Sequence, residues 1–101
     1  MSALLGPEAQ LENDILGLLL DFRRSQQNPA GVPMGEAAIG RAVLLDPEFG
    51  DVAGALDRLK AAALVDEHEG RKRERAYSIT VAGIRRFLID RLIEMHAPEL
   101  V

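Results

Sequence analysis

Apolar side chains recur at helical spacing along the first quarter of the chain. Between Pro7 and Gln26 the large apolar residues fall on one face of a helix and consist of Leu11, Ile15, Leu18, Leu19 and Phe22. Pro7 suits a first helical turn, and the loop-forming stretch QQNPAGVPMG follows the segment. The pattern therefore predicts a first helix that ends at about Gln26.

Two further segments share this helical pattern. Residues 36–45 have apolar side chains available for burial, and residues 52–63 place Val52, Leu56 and Leu59 on one face. Asp51 stands directly before the second segment, where a side-chain acceptor can cap the N-terminus of a helix. The sequence thus predicts a short second helix and a longer third one.

The spacing changes after the third helix. From Val65 to Thr80, apolar residues at both ends enclose a charged middle with a turn signal at Gly70, which predicts a β-hairpin. Thr80 can cap a last helix over residues 81–96. The expected core stripe of this helix consists of Ile84, Phe87, Leu88, Leu92 and Met95.

Three helices, a charged hairpin and a closing C-terminal helix are the element order of a winged helix-turn-helix domain, a mainly α fold of the α+β type. A chain of 101 residues has the length of one such domain. We therefore expect residues 1–101 to form a single domain in which residues 1–6 are flexible. In this arrangement the hairpin is the wing, with its tip at residues 71–73, and the third helix is offered to the major groove of DNA.

Two stretches resemble the PadR and MarR families of winged-helix regulators. In GDVAGALDRLKAAALV, residues 50–65, the positions in register with the recognition-helix pattern of these families are Leu56, Leu59, Leu64 and Val65. In RAYSITVAGIRRFL, residues 75–88, the positions that match the end of their wing are Tyr77, Ile79, Thr80 and Gly83. The resemblance implies a DNA-binding transcription regulator that dimerises through its terminal helices.

The sequence departs from the pattern of these families at several positions. Ala63 stands where they usually have the glycine that ends the recognition helix, and Ala53 stands where PadR-like sequences often have tyrosine. Glu48 and Asp51 place two carboxylates at the end of the helix that would point into DNA, where they oppose contact with phosphates. A carboxylate can still accept a hydrogen bond from a cytosine amino group. These two acids weaken the inference of base recognition and leave the inference of fold intact.

Charge is unevenly distributed along the chain. The net charge of −4 by itself argues against non-specific binding to nucleic acid. However, residues 1–22 contain four carboxylates and no basic residue, whereas residues 71–91 contain seven basic residues and two acidic ones. The average therefore conceals an acidic first helix and a basic stretch that runs from the wing into the last helix.

The basic residues of the wing and of the third helix are the candidate DNA contacts. A wing can follow the phosphate backbone or enter the minor groove, and the cations of this hairpin are Arg71, Lys72, Arg73 and Arg75. On the third helix Arg58 can contact guanine through two hydrogen bonds. The rest of the expected groove-facing surface consists of Asp51, Gly54 and Ala55. Alternatively, Arg58 contacts phosphate or forms a surface ion pair, and the wing cations only keep the turn soluble.

A second pair of large apolar residues on each terminal helix predicts association between two chains. These pairs lie away from the expected core stripes and consist of Leu16 with Leu20 and Ile89 with Ile93. Because a small domain gains little by leaving such side chains in water, we expect a homodimer through these helices. Alternatively, the N-terminal Leu4 and Leu5 fold back over part of this surface.

Other classes of function have little support in the sequence. The chain has no cysteine, which excludes disulfides and cysteine metal sites and is typical of a cytoplasmic protein. No apolar run reaches the length of about 18 residues that a membrane span needs. His68 lies between two glutamates, but the alternation of a strand directs it to the opposite face. We therefore expect no metal site, no cofactor and no enzymatic activity.

Together these patterns predict a homodimeric transcription regulator that binds duplex DNA and has no separate ligand-binding domain. The alternative is a winged-helix module for protein interaction or assembly that does not recognise DNA. The acidic residues at the third helix and the net charge favour the alternative, whereas the basic wing favours DNA.

Overall fold

The computed structural model describes residues 7–43, 51–70 and 74–96. Its elements follow the order α1 (Pro7–Arg24), β1 (Met34–Gly35), α2 (Glu36–Val43), α3 (Val52–Ala61), β2 (Val65–Glu69), β3 (Arg75–Ile79) and α4 (Val81–His96). The predicted order of three helices, a hairpin and a closing helix is therefore confirmed. The expected flexible N-terminus, the wing tip at residues 71–73 and Glu48 lie outside the described residues.

The three strands form one antiparallel sheet in the order β1-β3-β2. The hairpin runs in continuous register from the pair Val65 and Ile79 to the pair Glu69 and Arg75. β1 adds two residues on the other side of β3, where Met34 pairs with Tyr77. The sequence analysis missed β1 because two residues are too few to show an alternating pattern.

α1 lies at the centre of the packing, in contact with α2, α3, α4 and β3. The predicted stripe is confirmed at Leu11, Ile15 and Leu19, which are buried in the core. Leu16 and Leu20 are buried in the same core, so the expectation that they form an exposed second stripe for dimerisation is wrong. The physical reason is that neighbouring elements cover α1 on more than one side, so a second face of this helix is also removed from water.

α3 has well-defined ends. The predicted cap is confirmed, since the carboxylate of Asp51 accepts a hydrogen bond from Gly54 N at 3.0 Å. At the other end, Leu64 N donates to Leu59 O at 2.9 Å and Ala63 N donates to Lys60 O at 3.0 Å, the bond pattern of a Schellman motif. Ala63 adopts a positive φ of 61°, which ends the helix two residues earlier than predicted.

Thr80 precedes α4, and the start of this helix lies close to the segment that follows α3. Thr80 Oγ1 accepts a hydrogen bond from Gly83 N at 3.0 Å, which confirms the predicted cap, and donates to Ala63 O at 2.8 Å. Gly83 is buried against the carbonyl of Leu64, and a Cβ at this position would collide with that oxygen. The close approach of the two backbones therefore requires glycine here.

The second half of α4 leaves its apolar side chains in water. Ile84 and Phe87 pack against the core as predicted. The exposed apolar side chains are Leu88 at 51%, Ile89 at 49%, Leu92 at 54% and Ile93 at 41%. The expectation that Leu88 and Leu92 belong to the core is therefore wrong, because the principal partner of α4 is α1 and the contact covers only one side of the helix.

A buried asparagine closes the loop between α1 and β1. Asn28 Nδ2 donates to the carbonyl oxygens of Phe22 and Val32, at 3.2 and 3.1 Å, and Asn28 Oδ1 accepts from Val32 N at 3.0 Å. All of the side chain's polar atoms are thus used inside the loop. The loop is held by one side chain whose role the sequence pattern does not indicate.

Candidate nucleic-acid interface

The exposed side of α3 and the β2–β3 hairpin lie next to each other. The buried positions of α3 follow helical spacing and consist of Val52, Ala55, Leu56 and Leu59. The prediction that Ala55 faces a DNA groove is therefore wrong, since Ala55 lies one turn from Val52 on the buried face. The exposed positions nearer the end of the helix include Asp57, Arg58 and Lys60.

Two other predicted groove-facing residues belong to the start of this helix. Asp51 is exposed, and its carboxylate is engaged by the backbone of α3. Gly54 is half-buried beside that carboxylate. Asp51 therefore has a structural role in capping α3, whatever else its exposed surface contacts.

Arg58 is held by an ion pair that links α3 to α1. Arg58 Nε donates to Glu12 Oε1 at 3.0 Å, and the side chains are 42% and 16% exposed, respectively. The surface ion pair that the sequence analysis left open as an alternative for Arg58 is thus present. The arginine remains accessible to a partner, but its charge is balanced by a carboxylate from α1.

Glu67 on β2 connects α3 with the hairpin. Lys60 Nζ donates to Glu67 Oε2 at 2.9 Å, and Tyr77 OH donates to Glu67 Oε1 at 3.3 Å. Arg75 Nε lies 3.7 Å from Glu67 Oε1, and Arg75 Nη1 lies 3.8 Å from Asp57 Oδ1. The structure therefore brings Arg75, one of the predicted wing contacts, onto the same surface as α3.

This network shifts the ionisation of its members. Donation by Lys60 lowers the pKa of the Glu67 carboxyl, although partial burial acts in the opposite direction. Burial raises the pKa of Tyr77. The Glu67 carboxyl therefore stays ionised to a lower pH than an unpaired glutamate.

The opposite face of the hairpin has different chemistry. His68 Nε2 lies 2.8 Å from Ser78 Oγ, on the side away from Glu67. The predicted alternation of His68 with its neighbouring glutamates is thus present in the pairing of the strands. The remaining predicted DNA contacts, Arg71, Lys72 and Arg73, lie outside the described residues.

The carboxylates of this surface are the residues that sequence analysis missed. Glu12 and Arg58 are separated by 46 positions and belong to different helices, so no local pattern relates them. In the sequence, Glu67 is one of the two glutamates that flank His68. The one available signal was charge: a helix that offers exposed cations attracts acidic residues from the elements packed beside it.

A helix-rich unit with a three-stranded antiparallel sheet, in this element order, is a winged-helix fold. Among solved structures, the chain is similar to the crystal structure of MepR, a transcription regulator of the Staphylococcus aureus multidrug efflux pump MepA, with a TM-score of 0.63 and 16% sequence identity. The likeness covers 91% of this chain and 62% of MepR, so the chain spans less than two thirds of that protein. It confirms the fold predicted from the sequence.

The sequence comparisons add no family assignment. No family model matches the chain, and no curated protein matches it significantly. The resemblance to PadR and MarR regulators is therefore confirmed at the level of the winged-helix fold, and membership of either family stays a prediction. Within the described ranges, no helix combines the length and apolar character required to cross a membrane.

Proposed function

We propose that this chain is a transcription regulator that binds duplex DNA, with α3 in the major groove and the wing on the phosphate backbone. The observation that supports this most directly is the continuous surface formed by α3 and the hairpin, joined by the contacts of Lys60 and Arg75. By its sequence position, the run Arg71, Lys72 and Arg73 belongs to the turn of the wing, and we propose that these cations contact the phosphates beside the groove that α3 enters.

The test of DNA binding removes the wing cations together. We expect the parent chain to bind a labelled duplex at low salt, measured by fluorescence anisotropy. Replacing Arg71, Lys72 and Arg73 by alanine is expected to weaken binding and to make the slope of log affinity against log salt shallower by about 2.7. A control variant loses three exposed arginines elsewhere, Arg24, Arg85 and Arg91, and so has the same net charge. Equal binding by the two variants would refute the wing contact, and absence of binding by the parent would refute the function.

We further propose a homodimer formed through α4. Four exposed apolar side chains between Leu88 and Ile93 cover adjacent turns in the later part of α4, and they include the predicted interface residues Ile89 and Ile93. A second copy of the same helix provides a surface of matching chemistry and removes both from water. Leu16 and Leu20 have no part in this interface because they are buried within their own chain.

The dimer is tested by introducing a charge into this apolar surface. Ile93→Glu is expected to give a monomer in sedimentation velocity, because the carboxylate would have to be buried in the interface. Val32→Glu is the matched control, since Val32 is also exposed but lies in the loop before β1. A dimeric Ile93→Glu variant, or a monomeric parent, would refute the proposal.

The second candidate is a winged-helix module that binds another protein. The observation that favours it is that Arg58, Lys60 and Arg75 each contact a carboxylate of the same chain. A surface with balanced charge suits a protein partner better than a phosphate backbone. This candidate is preferred if the parent chain shows no salt-dependent affinity for duplex DNA.

A further inference from the structure

We propose that Glu12 and Glu67 are specificity-determining residues of the proposed DNA site. They hold Arg58, Lys60 and Arg75 so that these cations add little to the binding of phosphate alone. The inference rests on the proposed function, because it concerns how the same surface distinguishes one duplex from another.

The positions of the two carboxylates support this role. Glu12 lies on α1 behind α3 and is mostly buried, yet its Oε1 reaches Arg58 Nε at 3.0 Å. Glu67 lies on β2 and contacts Lys60 at 2.9 Å and Arg75 at 3.7 Å. Each carboxylate therefore comes from an element beside α3 or the wing and balances cations of the candidate DNA-binding surface.

Pairing with a carboxylate changes what each cation gains from DNA. The affinity of a protein for the phosphate backbone comes largely from counterions that free cations displace from the duplex. A cation that already contacts a carboxylate only exchanges one anionic partner for another, and the displaced carboxylate then faces the phosphates. Phosphate contacts by Arg58, Lys60 and Arg75 are therefore close to neutral in free energy.

A contact with a base differs from a contact with phosphate, because the base edge presents hydrogen-bonding groups in a fixed arrangement. Arg58 uses its Nε to bind Glu12, and its two terminal Nη groups remain available for the paired acceptors of guanine. Guanine at the correct position is expected to strengthen binding by about tenfold. The surface therefore gives little affinity to most duplexes and more to those that present the correct base.

The test is to remove the charge of Glu12 while keeping its shape. Glu12→Gln is expected to raise affinity for a random-sequence duplex by up to about fivefold, the strength of a surface ion pair. The salt slope is expected to steepen by about 0.9, since one more cation then neutralises a phosphate. Affinity for a duplex selected by the parent from a random pool is expected to rise less, so the ratio of specific to non-specific affinity falls. Glu67→Gln is expected to change non-specific binding in the same direction.

Asp21→Asn is the matched control. Asp21 is exposed on the same helix as Glu12, and its replacement changes the net charge equally. Arg58→Gln combined with Glu12→Gln is expected to abolish the gain, because no released arginine is then present. A difference between Glu12→Gln and Asp21→Asn in salt slope and specificity ratio supports the inference.

The outcomes separate this inference from the function on which it rests. If the parent binds duplex DNA through its wing but Glu12→Gln behaves like Asp21→Asn, the inference is overturned and the proposed function stands. If the parent does not bind duplex DNA, both are overturned. Thermal unfolding of each variant verifies that the compared proteins are folded.

Discussion

The C-terminal end of α3 allows a sharp prediction about stability. Ala63 has a φ of 61° at the position of a Schellman motif where glycine is usual. This left-handed conformation costs a residue with a Cβ about 1–2 kcal/mol. Glycine avoids that cost but loses about 0.4–1 kcal/mol through the greater freedom of the unfolded chain. Ala63→Gly is therefore expected to stabilise the protein by about 0.5–1 kcal/mol net.

The contacts of Ala63 indicate that Ala63→Gly changes the backbone preference at this position and little else. Its methyl group is exposed, so its removal costs little apolar burial. Its polar contacts, to Lys60 and Thr80, use only the Ala63 backbone and are retained. For a domain of this size, about 1 kcal/mol corresponds to a rise in Tm of about 4–8 °C.

The assay is thermal unfolding followed by circular dichroism, with Ala61→Gly as the matched control. Ala61 is exposed and is the last residue of α3, so glycine there meets a right-handed helical backbone and is expected to cost up to about 1 kcal/mol. The same substitution two residues apart should thus move Tm in opposite directions. A fall in Tm for Ala63→Gly comparable to that of Ala61→Gly would refute the left-handed cap.

Three further predictions concern packing, the loop and ionisation. Gly83→Ala is expected to lower the free energy of unfolding, measured in urea, by about 1–3 kcal/mol, because the Cβ of alanine would collide with Leu64 O. An unchanged midpoint of urea unfolding would exclude this close approach. Asn28→Ala is expected to cost about 1–3 kcal/mol in the same assay, since partly buried backbone groups of Phe22 and Val32 lose their hydrogen-bonding partner. The exposed Gln27→Ala is the control. NMR titration should give Glu67 a pKa below its ordinary 4.5, with Lys60→Gln raising it. Because that pKa is lowered on folding, the stabilisation by the pair is present above the ordinary value and lost as pH falls through the lowered one.

The helices of the chain were predictable because their buried faces follow a local period. Leu11, Ile15 and Leu19 on α1 and Val52, Leu56 and Leu59 on α3 are buried at the expected spacing. β1 was not predictable from a period, since two residues form a strand only because β3 offers them hydrogen-bonding partners.

Which faces of a helix are buried depends on the elements that pack beside it, and a local sequence pattern does not specify those elements. The sequence pattern predicts that Leu16 and Leu20 form a second apolar surface on α1 for dimerisation, but α1 lies between several elements that cover it. On α4, the absence of a side chain at Gly17 lets the ring of Phe87 approach α1, where a Cβ would lie 2.9 Å from the ring. With Phe87 against α1, Leu88 and Leu92 are exposed to solvent.

In the candidate site, too, contacts between elements distant in sequence could not be predicted from local patterns. The sequence indicated Arg58 and the wing cations from their position in the predicted fold. It did not indicate that Glu12, 46 positions away, would hold Arg58, because that contact exists only after α1 and α3 pack together. Charge pairing across elements is a property of the tertiary structure, whereas the number of cations is a property of the sequence.

The position of β2 at the outside of the sheet also has a consequence for aggregation. An outer strand presents unpaired backbone groups on which a strand of another molecule can add. β2 is only five residues long and has the sequence VDEHE, in which all residues after Val65 are exposed. Glu67 is paired with Lys60 and Arg75, but Asp66 and Glu69 add two carboxylates to this strand that repel the same strand of a second molecule. The wing is thereby kept available for a ligand instead of seeding intermolecular sheets.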